Sequence, residues 1–362
     1  MIKLLDRYII QKFLSTFFFT VLIFILIAVV IDFSEKVEKF IETPITQDEI
    51  LYEYYPSFIM FISGLLWPLF TLIAVIFFTS RMAANSEIIS IFNSGVSFWR
   101  FLRPYMLAAS LIAGMHFVGN HLVIPNGNKL MFNIIYTYFD TNEDKGKTRN
   151  VHLFIDDNVK VYIRNYRKRD SVAIDFRMEQ FSEDKLIRLV KANRAEWLPD
   201  EERWRLRNYE VRRFDGMEEE IELGIGQVRD TTLNLRPEDF VDFAEQQSMM
   251  TTPELKAYIQ QQRSRGASNV RKYEMENARR TAEPFTIYIL TLIGVSIAAR
   301  KVRGGIGFHL ALGIGLGAIY IFLSKFSVVF ALGSGVPVWL GVWFPNLIFL
   351  SVSLWLLFRA QK

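Results

Sequence analysis

Polarity in this chain is divided between whole segments rather than mixed along them. Three long apolar stretches precede Pro125 and three more follow Pro284. The residues between are rich in charge and contain no apolar run of membrane length. A bilayer core about 30 Å thick takes about 20 consecutive apolar residues to cross as a helix. Residues 13–31, 56–79 and 105–124 meet that requirement before the break. Residues 281–299, 306–332 and 338–358 meet it afterwards. Whole-chain averages of 51% apolar and 22% charged residues blend the two kinds of segment and describe neither. The pattern predicts a membrane α-helical protein of six transmembrane helices, three plus three, with an all-β, jelly-roll-like domain inserted between the halves.

Charge sets the orientation. Lys3, Arg7 and Lys12 precede the first span, and Arg81, Arg100 and Arg103 lie between the second and third. Arg300, Lys301 and Arg303 join the fourth to the fifth, and Arg359 and Lys362 close the chain. Six spans put these four groups on one side, and the bias of Lys and Arg toward the inner face makes that side the cytoplasm. The connection 32–53, on the opposite side, carries seven acidic residues against Lys36 and Lys39. The expected arrangement is residues 1–125 as spans one to three, 126–280 as a domain outside the cytoplasm, and 281–362 as spans four to six. Both termini are then cytoplasmic. The net charge of +4 is accounted for by this orienting role, so no nucleic-acid partner is implied. With no cysteine in the chain there is no disulfide or thiolate chemistry to consider.

The central segment alternates apolar and polar residues over 159–164, 172–178, 185–192 and 203–214, as half-buried strands do. Leu198-Pro199-Asp200 and Phe214-Asp215-Gly216 supply turns between them. Thr252-Pro253-Glu254 then reads as a helix start with Thr252 as the cap. It opens a helical connector over 252–280, interrupted at Gly266.

Catalytic signals are weak. Gly146-Lys147-Thr148 resembles the end of a phosphate-binding loop, but Thr141 stands where the pattern needs glycine, and Asn142-Glu143-Asp144 would repel phosphate. His116, His121, His152 and His309 show no metal-ligand spacing, and His116 and His121 read as polar residues facing a bundle interior. The chain is therefore read as no enzyme, with no cofactor and no metal. A more informative segment lies between spans two and three. Residues 84–95 read as a short helix with Asn85 or Ser86 as cap, Glu87 at its positive end and Gly95 as its stop. Ile88, Ile91 and Phe92 share one face. A helix so short either lies on the bilayer or docks into a partner. Lys325, near the outer end of span five, is placed to snorkel to the interface or to meet an anionic headgroup.

Five places together resemble the lipopolysaccharide export permease family, LptF/LptG. They are Leu5-Asp6-Arg7-Tyr8-Ile9; Ser86-Glu87 with Ser94-Gly95; Trp204-Arg205-Leu206-Arg207-Asn208; Arg279-Arg280-Thr281-Ala282-Glu283-Pro284-Phe285; and a closing group. That group is Val336-Pro337, Trp343-Phe344-Pro345-Asn346 and Ser353-Leu354-Trp355-Leu356-Leu357. The opening and closing residues lean to the G-type. The resemblance implies a bacterial inner-membrane permease that extracts lipopolysaccharide and passes it to a periplasmic jelly-roll bridge protein. It also implies a second homologous six-span subunit and a separate cytoplasmic ATPase dimer. Glu87, Ile88, Ile91, Phe92 and Gly95 match the family's ATPase-coupling helix. The first and fifth spans resemble its lateral gate, which makes Lys36, Lys39 and Lys325 substrate-contact candidates. Asp32 departs from the pattern, because G-type members can carry a basic residue there; either its neighbouring lysines compensate or the headgroup contacts differ. Two other readings fit the layout: a transporter subunit doing mechanical work on a periplasmic protein, and a membrane-anchored sensor.

Overall fold

The structure is a computed structural model, described over residues 3–139, 148–156, 158–167, 170–183, 185–216, 218–240, 245–264, 270–302, 304–333 and 335–360. Asn142, Glu143, Asp144, Gly146 and Lys147 of the glycine-lysine segment, and Gly266, lie outside the described residues. The chain divides into two compact units. One comprises Met1–Phe139, Gln247–Leu255 and Arg271–Lys362; the other comprises Asp140–Gln246 and Lys256–Val270.

Among the described residues, the first unit contains six helices long and apolar enough to cross a membrane. Helix α1 (Leu4–Glu42) is about 58 Å long at 1.5 Å per residue, nearly twice the hydrocarbon thickness. Much of the acidic connection expected over 32–53 is therefore helical. A π-helical turn at Glu49–Tyr54 leads directly into α2 (Tyr55–Ala84). After the short α3 (Glu87–Asn93) comes a third long rod. It is formed by α4 (Phe98–Val118), a π turn at Gly119–Val123, α5 (Ile124–Ile134) and a second π turn at Ile135–Phe139. The domain border expected at 125 thus falls inside a continuous helical segment. The apolar window marks only the part of a rod that needs hydrocarbon, and the helix continues past it.

One core gathers Ile9, Phe13 and Phe17 of α1 against Phe70 and Phe78 of α2 and Phe101, Tyr105 and Ile112 of α4, all buried. Aromatic rings lock it, with Phe13 and Tyr105 at 6.0 Å and Phe101 and Tyr105 at 5.3 Å between centroids.

The β domain expected between the third and fourth spans is present as a single antiparallel sheet. Its strands are β1 (Arg149–Asp156), β2 (Val159–Arg167), β3 (Val172–Ser182), β4 (Lys185–Leu198), β5 (Arg203–Asp215) and β6 (Glu218–Thr231). They lie side by side in sequence order. Alternation places Val161, Ile163, Phe176, Val190, Leu206 and Val211 in one buried cluster around Trp204. The Trp204 indole N–H donates to the Leu235 carbonyl at 2.7 Å, so this large side chain is buried without leaving its donor unpaired. The ladder between β5 and β6 shifts register between Arg207 and Tyr209. Asn208 sits there in the left-handed region, φ 51°, and its amide oxygen accepts the Gly226 N–H at 2.8 Å. Gly224 faces the Tyr209 ring so closely that a Cβ would lie 2.3 Å from it. These residues bend the sheet without breaking it.

A short α6 (Gln246–Met249) precedes α7 (Thr252–Ser264), with α8 (Val270–Ala298), α9 (Gly305–Gly333) and α10 (Val338–Ala360) completing the chain. Thr252 is the first residue of α7 rather than its cap. Thr251 takes that place: its N–H and hydroxyl donate to the Glu254 carboxylate at 2.7 and 2.8 Å. These donors hold Glu254 below the ordinary carboxylate range.

Candidate functional site

Helix α3 is shorter than the segment 84–95 predicted for it. It is entered through Ser86, whose backbone is left-handed at φ 62°, and neither Ser86 nor Asn85 caps it with a side chain. Instead the Asn85 amide donates to Glu87 at 3.3 Å. The Tyr8 hydroxyl of α1 donates to the other Glu87 oxygen at 3.1 Å. Gly95, at φ 86°, ends the helix, its N–H donating to the Phe92 carbonyl at 3.0 Å. Ile88 is buried, and Ile91 and Phe92 are half-buried against the core of α1, α2 and α4. Phe92 meets Phe101 edge-on at 5.4 Å. The apolar face therefore seats the helix on its own chain, and the face left open carries Ile89, Ser90 and Asn93. Sequence periodicity found the amphipathic stripe but could not say what the stripe faces.

Asp32 is nearly buried on α1, where its carboxylate pairs with Lys36 one turn on. The Tyr54 hydroxyl donates to the same carboxylate at 3.0 Å, and Lys36 also contacts that hydroxyl and lies over the Tyr54 ring, 5.0 Å from its centroid. The acid and its neighbouring base thus form a closed, near-neutral group. Lys39 is exposed, 6.0 Å from the centroid of Phe139. Lys325 is exposed on α9 beside a ladder of outward rings, Phe322–Phe326 at 6.3 Å and Phe326–Phe330 at 6.4 Å. Only Asp32 and Lys36, of the four substrate candidates, are shown in contact. The two spans concerned are the least buried of the six. Of the most apolar stretch, 11% is buried in α1 and 22% in α9, against 67% in α8.

Several polar contacts were missed in the sequence, most of them because the partners lie far along the chain. The Arg100 guanidinium grips Asp6 with two bonds, at 2.6 and 2.7 Å, joining the start of α1 to the start of α4. Glu276 accepts from Arg279 and, at 2.9 Å, from Arg280, while Arg279 also pairs with Glu283. Arg280 is buried and spends its remaining donors on the carbonyls of Met250 and Gln247 at 2.8 and 3.0 Å. Asn120, in the π turn of the third span, donates to Glu283 at 3.1 Å, and His121 meets Thr252 at 2.9 Å. A second group links α8, α9 and α10. Thr286 and Tyr320 both donate to the Asn346 carbonyl at 2.9 Å, and the Asn346 amide donates to Ala282. The histidines go to separate partners, His116 to the Gly64 carbonyl and His309 to Ser80.

In the β unit, a cavity of about 220 Å³ opens on the inner face of the sheet, lined by Ile155, Phe176, Met178 and Val190 with Arg188 and Arg229 among them. Arg229 pairs with Glu222 at 3.0 Å. The Arg188 Nε is buried without a hydrogen-bond partner. Burial and the neighbouring Arg229 and Arg213 push Arg188 below the usual guanidinium value. Asp156, Gln180 and Asn234 also line the cavity, which is therefore mixed in polarity.

A search of curated proteins finds no match to this chain. The family model described as lipopolysaccharide export system permease LptF/LptG matches residues 7–359. That span includes α3, the inserted sheet and nearly all of the six apolar helices, and the chain belongs to the LptF/LptG family.

Proposed function

We propose that this chain is one of two homologous permease subunits of an ABC-type transporter that lifts lipopolysaccharide out of the bacterial inner membrane. Its termini lie in the cytoplasm, the domain within 126–280 faces the periplasm, and the opening and closing residues favour the G-type over the F-type. A separate ATPase dimer supplies the energy and acts on α3. A periplasmic bridge protein takes the lipid onward by continuing the sheet. The observation that carries the coupling role is the seating of α3. Its apolar side is used inward, so force applied to Ile89, Ser90 and Asn93 is delivered into the core of α1, α2 and α4 rather than lost in a loop. Under-buried α1 and α9 suit a surface completed by the second subunit and the lipid, with Lys39 and Lys325 at hand for phosphate. Among the described residues the end strand β6 pairs only with β5, and it exposes Leu223, Ile225 and Val228, which suits strand addition.

Ile89→Asp and Glu87→Lys test the coupling role in the complete transporter. Both are expected to reduce co-purification of the ATPase and ATP-dependent lipid release at least tenfold. For Ile89→Asp the unfolding midpoint of the membrane part stays unchanged. Normal co-purification and release in both variants would remove α3 from the coupling path.

A further inference from the structure

Where α1 begins its apolar run and α2 ends its own, the two helices border a cavity of about 520 Å³, of whose lining the roles above use Glu87 alone. Its charged end is made by Lys12 and Arg81. Lys12 is the last charged residue before the apolar stretch 13–31, and Arg81 the first after 56–79. Two antiparallel helices therefore bring one cation each to the same boundary of the membrane. Both side chains are exposed, and among the described residues neither forms an ion pair. The other end of the cavity is lined by Phe19 and Phe77. Those rings lie seven and four residues farther into the apolar runs, about 10 and 6 Å along the helix axes.

We propose that this cavity is a binding site for an anionic glycerophospholipid, its phosphodiester between Lys12 and Arg81 and the start of an acyl chain along Phe19 and Phe77. A free anion would use only the charged end, and a neutral lipid only the apolar end. Two unpaired cations at headgroup level, directly above outward aromatic rings, match the two-part chemistry of one lipid molecule. Glu87 also borders the cavity, but the Tyr8 hydroxyl and the Asn85 amide already engage its carboxylate. The cations outnumber it, so the site stays net positive. A lipid held here would brace α1 and α2 beside the first residue of α3. Naming the leaflet cytoplasmic rests on the orientation proposed above; the site itself does not.

The test is lipid retention by the intact protein in its complex, read by native mass spectrometry after exchange into mixed phosphatidylglycerol and phosphatidylcholine. Wild type is expected to keep one phosphatidylglycerol per chain at this site. Lys12→Ala/Arg81→Ala is expected to weaken that retention roughly 30-fold, from about 1 kcal/mol per cation near a headgroup. The charge-preserving pair Lys12→Arg/Arg81→Lys retains it. Lys301→Ala, which removes an exposed cation elsewhere, also leaves it unchanged. Equal retention of phosphatidylcholine, an unaffected double alanine variant, or an equal loss in Lys301→Ala would overturn the proposal. Displacement of the lipid by inorganic phosphate alone at matched concentration would overturn it too, since the site would then be one for a free anion. None of these readouts needs lipopolysaccharide movement, so failure of the export reading and failure of this one are separable.

Discussion

The two ends of the helical unit treat charge in opposite ways. Near the return of the chain from the β unit, Glu276, Arg279, Arg280 and Glu283 are neutralised among themselves, and Arg280 is capped by backbone carbonyls and withdrawn from solvent. At the other end Lys12 and Arg81 stand exposed, and among the described residues neither forms an ion pair. A closed set of charges fixes geometry, because its members have no capacity left for a ligand. An open set costs little to maintain and keeps its capacity for something that arrives. The same residue types therefore serve as structure at one end and as a reception site at the other.

Breaking the closed end should have the largest effect. Glu276→Ala takes from the buried Arg280 its carboxylate partner and from Arg279 one of its two, and is expected to cost about 3–5 kcal/mol, the usual penalty for removing one partner of a buried pair. Denaturant titration of the purified protein measures it; a loss below about 1 kcal/mol would mean that the network is not structural. Asn346→Leu should cost less, about 1–3 kcal/mol. It removes the shared acceptor of Thr286 and Tyr320, but those hydroxyls still reach each other at 2.6 Å. The smallest effect is expected at the exposed surface of the sheet. There the Arg205 guanidinium holds the Asp230 carboxyl below its ordinary value of 3.8. A lowered pKa means that the pair's contribution is complete above the ordinary value and fades as pH falls through the folded one. Asp230→Asn should therefore lower stability slightly at neutral pH and leave the acid end of the unfolding curve unchanged, where the wild-type pair has already faded. A larger change in acid than at neutral pH would reverse the assignment.

The six spans and four of the six strands were legible because each is a local pattern: an apolar run, or an alternation such as Val159-Lys160-Val161. β6 was not, because its first residues are Glu218, Glu219 and Glu220 and its middle carries Gly224 and Gly226, a composition that suggests a loop. Its acids find their reason only across the ladder, where Glu219 meets Arg212 and Glu220 meets Arg213. Helix ends were misjudged for a related reason. α1 runs on through Glu35, Glu38 and Glu42, where length rather than hydropathy is conserved by the backbone hydrogen bonds. Compensation of Asp32 by a neighbouring lysine was legible, since Lys36 is one turn away, but the Tyr54 hydroxyl that completes the group comes from another helix. Contacts such as Asp6–Arg100 and Glu283–Asn120 join residues too distant in sequence for any spacing rule to link them.

The π turn at Gly119–Val123 gives the third rod a slip in phase. An α-helix advances about 100° per residue, so one residue more or less in that turn rotates everything beyond it by about that angle relative to everything before. Asn120 and His121 lie within the turn and hold Glu283 and Thr252, while Ile112 and Tyr105 below it face the bundle core. The rod thus carries two azimuths, one set by its lower packing and one by its upper polar contacts, and the turn between them is where the mismatch is absorbed. Shortening this segment to an ordinary helix would leave both halves folded but would point one of them the wrong way.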